Sequence, residues 1–315
     1  MQHRPKTFLI GALACALGTS FLAPYLNPYY LDVILTVGIN IVLAVSLNLV
    51  NGYTGQFSLG HAGFMAIGAY ASAAFTLFAA PAIFPNANGW VTQAVFFLAL
   101  LLGGGIAAAA GIVVGAPSLR LKGDYLAIVT LGFGEIIRVL LRNVDSLGGA
   151  LGLNGIPFYT NLFWVAVWAI LTIYVVLALV HSTFGRGFLA VRDDEVAAEA
   201  MGINTTRYKI IAFVVSAFFA GIAGGLYGHL KSSIDPKGFD FMRSIEIVVM
   251  VILGGMANTR GVILAAILLT LLPEVLRPVA EYRMVIYSLL LIILMLTRPQ
   301  GLFSFRSNRP SVRTP

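Results

Sequence analysis

Charged residues are scarce in this chain, and their scarcity decides its class. Only 10% of the 315 residues are charged and 59% are hydrophobic, whereas soluble domains carry about 25% charged residues. The mean hydropathy is +0.90. This composition excludes an ordinary soluble domain and predicts an integral membrane protein. At roughly 20 apolar residues per spanning helix, the length leaves room for about ten spans in one bundle.

Three further scarcities limit the chemistry. The single cysteine, Cys15, excludes an intramolecular disulfide and does not indicate a redox compartment. The dipeptide Gly-Lys does not occur, so the chain has no Walker-type phosphate loop and is not expected to hydrolyse ATP by itself. The histidines are scattered over different predicted elements and form no metal-ligand cluster: they are His3, His61, His181 and His229. The sequence therefore implies no enzyme, no metal and no cofactor.

Apolar runs interrupted by turn residues and charges predict an all-α polytopic membrane protein. The predicted spans are 8–26, 30–50, 57–80, 90–115, 124–141, 161–181, 209–230, 244–257, 261–276 and 284–298. The run 244–257 is shorter than the ~17 residues that cross comfortably, so a re-entrant or tilted segment is the alternative there. Residues 1–315 then form one transmembrane domain with a polar loop at about 182–208 and a polar tail at about 299–315.

Lysine and arginine residues indicate the orientation, because cytoplasmic loops carry an excess of them. With the N-terminus inside, thirteen lie on the cytoplasmic side and six outside, and Arg138 is left within a span. Both termini are therefore predicted to be cytoplasmic. The net charge of +7 follows from this orientation, and no nucleic-acid partner is implied. Residues 1–24 also look like a signal sequence, but a retained first helix is favoured because another apolar run follows at once.

The stretch 51–73, NGYTGQFSLGHAGFMAIGAYASA, puts polar and small residues beside an apolar run. On the preceding helix Asn40, Asn48 and Asn51 fall within an arc of about 80°, so this face is not expected to contact lipid. Polar groups at membrane depth line a cavity or bond across helices. The predicted pathway residues are Asn40, Asn48, Gln56, Ser58 and His61, with tight packing as the alternative. Small residues at helical spacing predict a close helix contact: they are Ala62, Ala66, Ala69 and Ala73.

Charge also occurs inside the apolar segment 124–141. Glu135 and Arg138 are three residues apart there. An uncompensated charge at the bilayer centre costs about 2.5–3.5 kcal/mol, and pairing relieves that cost. A structural ion pair is the simpler interpretation, and a role of Glu135 in the pathway or its gate is the alternative.

The longest polar loop, 182–209, predicts a short amphipathic helix. Apolar residues recur at near-helical spacing, and Gly202 and Asn204 offer a C-terminal stop. The apolar stripe consists of Phe188, Val191, Ala198 and Met201. A charged loop with such a stripe, on a chain without a soluble domain, predicts a partner protein, and a solvated face is the alternative.

Five motifs in order carry a resemblance to a known family: LNLVNGYTGQFSLGHAGFMAIGAY, GDYLAIVTLGFGEIIR, AAEAMGINTTRYK, SIEIVVMVILGGM and RPQGLF. The chain resembles the permease subunits of branched-chain amino acid ABC importers, of the LivM type, over almost its whole length. The resemblance implies a multi-pass subunit of the bacterial inner (plasma) membrane, surrounded by membrane lipid. It also implies three kinds of partner: a LivH-like permease, two ATP-binding subunits and an extracytoplasmic solute-binding protein.

The same resemblance implies that the polar loop carries the helix that docks on the ATPase. The docking motif of ABC importers, Glu-Ala-Ala, three residues, Gly, maps onto Val196, Ala197, Ala198 and Gly202, so valine stands where the wider superfamily has glutamate. Glu195 precedes this position and Glu199 follows it. The predicted coupling residues are Arg192, Glu195, Ala197, Ala198, Glu199, Met201 and Gly202.

The implied function is import of leucine, isoleucine and valine, driven by ATP that partner subunits hydrolyse. Relatives for urea, short amides and other small organic solutes leave the cargo open. A second class, an ion-coupled secondary transporter, requires an acid within a span, and Glu135, Asp32 and Glu246 are candidates. A membrane enzyme requires a clustered catalytic set near one interface, and the sequence contains none.

Overall fold

A computed structural model of the chain describes residues 27–84, 89–118 and 124–277, with isolated residues between 282 and 301. The predicted span 8–26 lies outside the described residues, as do most of the span 284–298 and all of the polar tail except Gly301. In the described part every element is helical apart from one pair of two-residue strands. The predicted all-α class is confirmed for this part of the chain.

The helices are numbered in chain order. Their bounds are α1 Pro28–Asn48, α2 His61–Ala74, α3 Trp90–Ser118, α4 Asp124–Arg142, α5 Leu162–Val180, α6 Thr183–Asp193, α7 Glu195–Ala200, α8 Thr205–Lys231, α9 Phe241–Gly254 and α10 Thr259–Val275. α1 continues as a π-helical turn at Leu49–Tyr53, and α2 continues through Phe75–Ala79 to Ala80–Ile83. Strands β1, Leu153–Asn154, and β2, Ser233–Ile234, pair antiparallel.

Within residues 27–84, 89–118 and 124–277, five helical segments are long and apolar enough to cross a membrane. They are Pro28–Tyr53, His61–Ile83, Trp90–Ser118, Leu162–Val180 and Thr205–Lys231. Each coincides with a predicted span, because a run of about 20 apolar residues can satisfy its backbone in lipid only as a helix. The predicted spans 124–141, 244–257 and 261–276 also fold as helices, α4, α9 and α10, but these are more charged or shorter.

Helices α2, α3 and α8 pack closely because glycines meet at their contacts. A Cβ atom added to Gly68 of α2 would collide with the backbone of Gly221 on α8, and one added to Gly224 would lie 2.9 Å from the backbone nitrogen of Ala69. Small residues let helix backbones approach in this way. The predicted close contact is confirmed, and all of its alanines are buried: Ala62, Ala66, Ala69 and Ala73.

The short helix α9 runs beside only the second half of α1. Near its start Arg243 bonds Asn40, and just after its end the Ala257 nitrogen bonds Asn48. Those two asparagines are eight residues apart, roughly 12 Å along a helix. The chain before α9 dips into the bundle, since Phe239 is 2% exposed and its ring packs edge-on against Tyr70. A 14-residue helix is about 21 Å long, which is shorter than the hydrocarbon core.

The polar segment 182–208 folds as two helices, α6 and α7, so the prediction of one short helix is wrong. Asp194 separates them, because its carboxylate accepts from the backbone nitrogens of Val196 and Ala197 and caps the start of α7. The predicted stop at Gly202 is confirmed by its left-handed φ of +82°. Asn204 does not end a helix: it caps the start of α8 by accepting from the Arg207 nitrogen.

Candidate functional site

A cleft of about 430 Å³ lies between α1, the end of α8, α9 and α10. It follows α1 from Asp32 to Asn40, which is roughly 12 Å of helix. Apolar side chains form part of its wall, among them Val33, Met250 and Leu269. The cleft is therefore a deep groove with one end near the start of α1.

Charged and amide groups occupy the cleft at two levels. At the outer level Lys231 Nζ donates to both carboxylate oxygens of Asp32 at 2.9 Å. At the inner level Arg243 donates from Nη1 to Glu246 at 2.8 Å and from Nη2 to Asn40 Oδ1 at 2.7 Å. The Asn40 amide in turn donates to Thr270 Oγ1 at 2.8 Å. Asn40, a predicted pathway residue, is thus part of a polar network that joins α1, α9 and α10.

The other residues predicted on and after α1 lie toward its opposite end, in or beside the loop 51–60. Asn51 bonds the backbone of Ser58 twice, accepting from its nitrogen at 3.2 Å and donating to its oxygen at 3.4 Å. His61 Nε2 lies 3.1 Å from Ser46 Oγ. Asn48 Oδ1 accepts from the Ala257 nitrogen at 3.0 Å. The structure therefore does not bring the predicted residues into one site with Asn40.

Gln56 differs from these neighbours because its side chain lacks partners. The residue is 6% exposed, and neither Oε1 nor Nε2 has a hydrogen-bond partner among the described residues. A buried amide without partners costs about 1–3 kcal/mol. Gln56 therefore does not stabilise this part of the fold, and stability does not account for a glutamine at this position.

The ion pair predicted between Glu135 and Arg138 is confirmed. Nε and Nη2 of Arg138 donate to one Glu135 oxygen at 2.8 and 2.7 Å. Both side chains remain about one third exposed, on a helix face that also exposes Ile128, Ile136 and Leu140. This face of α4 is therefore apolar with one charged pair in it, and it is uncovered in the described part of the chain.

The apolar stripe of the segment 182–208 does not form one face. Phe188, Val191 and Ala198 are buried within this chain, and the Phe188 ring packs edge-on against Tyr208 at 5.9 Å. Met201 is 82% exposed and Val196 is 66% exposed. The outward apolar surface of α7 thus consists of Val196 and Met201. The predicted apolar stripe is not continuous, because the chain changes direction at Asp194 between α6 and α7.

Two of the predicted coupling residues are held by partners on the next helix, α8, and a third, Arg192, pairs with its neighbour Asp193. Glu195 pairs with the buried Lys209 at 2.7 Å, and Glu199 accepts from Thr205 Oγ1 at 2.8 Å. The remaining predicted residues have different surroundings: Ala198 is buried, whereas Arg192, Ala197, Met201 and Gly202 are exposed. Both carboxylates therefore fasten α7 to the start of α8.

The loop 51–60 packs directly on α6. Gly55 has φ of +69°, and a Cβ atom added to it would lie 2.8 Å from Cγ of Arg192. The sequence treats these two stretches as separate features, yet the structure joins the polar end of α1 to the segment 182–208. The loop 51–60 thus connects α1 and α2 with α6 by direct contact.

Sequence reasoning missed most of the cleft. Asp32 and Glu246 stand out only as acids near spans, and Lys231 and Arg243 only as basic residues in loops. Thr270 carries no signal in the sequence. The pairing of these residues depends on α9, which is too short to cross the hydrocarbon core. Its position is set by tertiary packing and not by a local sequence pattern.

Comparison with known proteins gives a consistent set of relatives. Residues 29–296 match the family described as branched-chain amino acid transport system / permease component. The high-affinity branched-chain amino acid transport permease protein LivM of Salmonella typhimurium is 37% identical over 253 residues, covering 69% of this chain and 59% of that protein. This chain thus matches about three fifths of the length of that relative. No solved structure matches the chain.

Two further relatives widen the comparison. The permease protein LivH of the Escherichia coli branched-chain amino acid transport system is 27% identical over 267 residues, covering 78% of this chain and 83% of LivH. The autoinducer 2 import system permease protein LsrC of Photorhabdus luminescens is 30% identical over 186 residues, covering 55% of this chain and 54% of LsrC. The family match extends over most of the chain. The chain therefore belongs to the permease family of branched-chain amino acid transport systems, and within that family it is of the LivM type.

Proposed function

We propose that the chain is one permease subunit of an ABC importer that carries leucine, isoleucine and valine into the cell. It works with a LivH-like permease, two ATP-binding subunits that hydrolyse the ATP, and an extracytoplasmic solute-binding protein. The substrate and partners follow from the names of its LivM and LivH relatives. The absence of the Gly-Lys dipeptide from the sequence agrees with energy supplied by another subunit.

The segment 182–208 is the observation that carries this proposal. Its exposed apolar residues, Val196 and Met201, form a contact surface for another protein. The same segment is fastened to α8 by the Glu195–Lys209 ion pair and touches the loop 51–60 at Gly55. An amphipathic helix in a groove is anchored by such apolar residues. The segment thus links a docking surface for an ATP-binding subunit to the core helices.

Helix α4 provides the contact with the second permease. Its exposed face carries the Glu135–Arg138 pair among apolar residues. Charged groups at membrane depth face a bundle interior or a water-filled cavity rather than lipid. We therefore assign this face to the contact with the LivH-like subunit, where Glu135 borders the pathway between the two permeases.

A secondary transporter is the weaker candidate. Its coupling acid must gain and lose an ion during transport. The candidate acids are each held by a cation of this chain: Glu135 by Arg138, Asp32 by Lys231 and Glu246 by Arg243. Because each carboxylate already has a cationic partner, these pairs argue against ion coupling.

The orientation can be tested with single cysteines on a Cys15→Ser background. Thr206 and Lys237 are both exposed and lie at opposite ends of α8 and its following turn. A membrane-impermeant maleimide added to intact cells is expected to label Lys237→Cys and not Thr206→Cys. Permeabilised cells should label both. External labelling of Thr206→Cys would overturn the cytoplasmic assignment of the segment 182–208 and of both termini.

Gln56→Leu is expected to lower uptake severalfold while the complex still assembles. Leucine has a similar size, and it removes a buried amide that has no partner in the described structure, so the thermal stability should be unchanged or higher. Leucine uptake and size-exclusion assembly are the measurements. The matched control is Gln93→Leu, which should lower stability because Gln93 accepts from Trp164 Nε1 at 2.6 Å. Normal uptake by Gln56→Leu would remove position 56 from the pathway.

The cargo assignment is tested by competition in vesicles that contain the complete importer. Excess unlabelled isoleucine or valine should reduce uptake of labelled leucine, and excess urea or acetamide should not. Permeases similar to this chain also serve other cargo, since one relative belongs to an autoinducer 2 import system. Transport of urea or a short amide without leucine transport would assign the chain to the alternative substrate class.

A further inference from the structure

The cleft beside α1 has the size of a small-molecule site. Its volume of about 430 Å³ falls in the range of ligand pockets, roughly 300–1,000 Å³. Apolar side chains occupy one part of the wall and paired charges another. Sites for small ligands combine an apolar lining with a few placed polar groups in this way.

Arg243, the inner cation of the cleft, lies deep in the bundle. Asn40 is twelve residues from the first residue of α1, which is roughly 18 Å along the helix, and Arg243 donates to it at 2.7 Å. The Arg243 side chain is 18% exposed, whereas its partner Glu246 is 43% exposed. Ionisable groups at such depth are costly and mark ligand pathways. An apolar residue at position 243 would pack α9 against α1 without the cost of burying a charge.

The arrangement of the charges fits a molecule that carries both signs. Arg243 and Glu246 form a contact at 2.8 Å, so a cation and an anion stand side by side in the cleft. A free amino acid has a carboxylate and an ammonium group on one carbon, so each group can face its opposite charge at the same time. A ligand with a single charge would leave one member of the pair opposed to a neutral group.

We infer that this cleft binds a free zwitterionic amino acid, with its carboxylate at Arg243 and its ammonium group at Glu246, an inference that rests on the proposed function. The aliphatic side chain lies against Met250 and Leu269, which line the cleft beside the inner pair. The outer pair, Asp32 and Lys231, stands two turns away along α1 and offers a second pair of charges on the way in. The permease thus holds the amino acid itself, apart from the solute-binding protein.

Binding to the assembled permease pair and ATP-binding subunits, in nanodiscs without solute-binding protein, tests this inference. The probes are leucine, N-acetylleucine, which lacks the ammonium group, and leucinamide, which lacks the carboxylate. Leucine is expected to bind saturably and at least tenfold more tightly than either analogue. Equal binding of the three probes, or no saturable binding of leucine, would overturn the inference.

Variants locate the site. Arg243→Gln is expected to weaken leucine binding at least tenfold, and Arg243→Lys should retain part of it. The matched control is Lys237→Gln, which removes a basic residue from the segment just before α9 and outside the cleft lining. If Arg243→Gln fails to assemble, Thr270→Val is the variant that tests the site. It removes the hydroxyl that accepts a hydrogen bond from Asn40, and it should weaken leucine binding severalfold. Unchanged leucine binding in whichever of these variants assembles would contradict the assignment.

Two further readouts separate this inference from its alternatives. If Arg243→Gln lowers the ATP hydrolysis stimulated by solute-binding protein but leaves leucine binding unchanged, the cleft is a docking surface for that protein and the inference is wrong. ATP-driven leucine uptake is measured with the complete importer in parallel. Uptake without binding in the nanodiscs contradicts this inference alone, whereas absence of leucine uptake contradicts the proposed function.

Discussion

Replacing Met201 by aspartate is expected to weaken the association of the permease with its ATP-binding subunits about a hundredfold. Met201 is 82% exposed at the end of α7, so its side chain buries little surface within the described chain and is available to a partner. Losing a buried methionine contact costs about 1.5–3 kcal/mol, and a desolvated carboxylate adds to that cost. A total of about 3 kcal/mol corresponds to roughly a hundredfold in affinity. Titration of the purified permease pair with ATP-binding subunits measures the change.

Matched variants separate a lost contact from a disturbed fold. Met201→Leu should retain binding, and Asp194→Asn should be nearly silent because asparagine caps a helix as well as aspartate does. Val196→Asp should act like Met201→Asp, since Val196 is also exposed. Ala198→Glu is a poorer probe because Ala198 is buried, so glutamate there would displace α7. Full assembly and stimulated hydrolysis in both aspartate variants would show that the docking surface lies elsewhere.

Gly68→Ala is expected to destabilise the permease more than any conservative change at the surface. The added methyl group would collide with the backbone of Gly221, which cannot move without separating α2 from α8. Overpacking in a core costs about 1–3 kcal/mol, and more where backbone opposes backbone. The measurement is the melting temperature in detergent, followed by size-exclusion chromatography, and the expected result is a fall of several degrees with loss of monodisperse protein.

Gly105→Ala is the matched control for this change. Gly105 is also a glycine within a spanning helix, but a Cβ atom added there meets nothing within 4 Å. Alanine favours the helix by up to about 1 kcal/mol relative to glycine, so stability should be unchanged or slightly higher. Equal melting temperatures for the two alanine variants would contradict the close packing of α2 on α8.

Hydropathy predicted the long helices because the bilayer leaves an apolar run of 20 residues few alternatives. The alanines of α2 indicated the contact with α8, because small residues at helical spacing have few other uses in a membrane. The family also follows from the sequence, since its motifs run in order along the chain. These predictions rest on local patterns that tertiary packing does not alter.

The segment 182–208 and the cleft depend on competing or distant interactions. The apolar spacing from Phe188 to Met201 predicts one helix, but the Asp194 side chain caps the backbone of the next residues and divides it. The cleft brings Asn40 to Arg243, residues about 200 positions apart, through the placement of α9. No local period predicts such a pairing. For this reason the functional residues that could not be predicted from the sequence lie on α9 and on the helices next to it.

Leucine uptake into proteoliposomes tests the central claim most directly. The vesicles contain this chain, its LivH-like partner and two ATP-binding subunits, with solute-binding protein outside and ATP inside. We expect leucine uptake that requires both ATP and the solute-binding protein and that stops when the ATP-binding subunits are inactivated. Uptake by this chain alone, driven by a proton gradient and indifferent to ATP, would contradict the account.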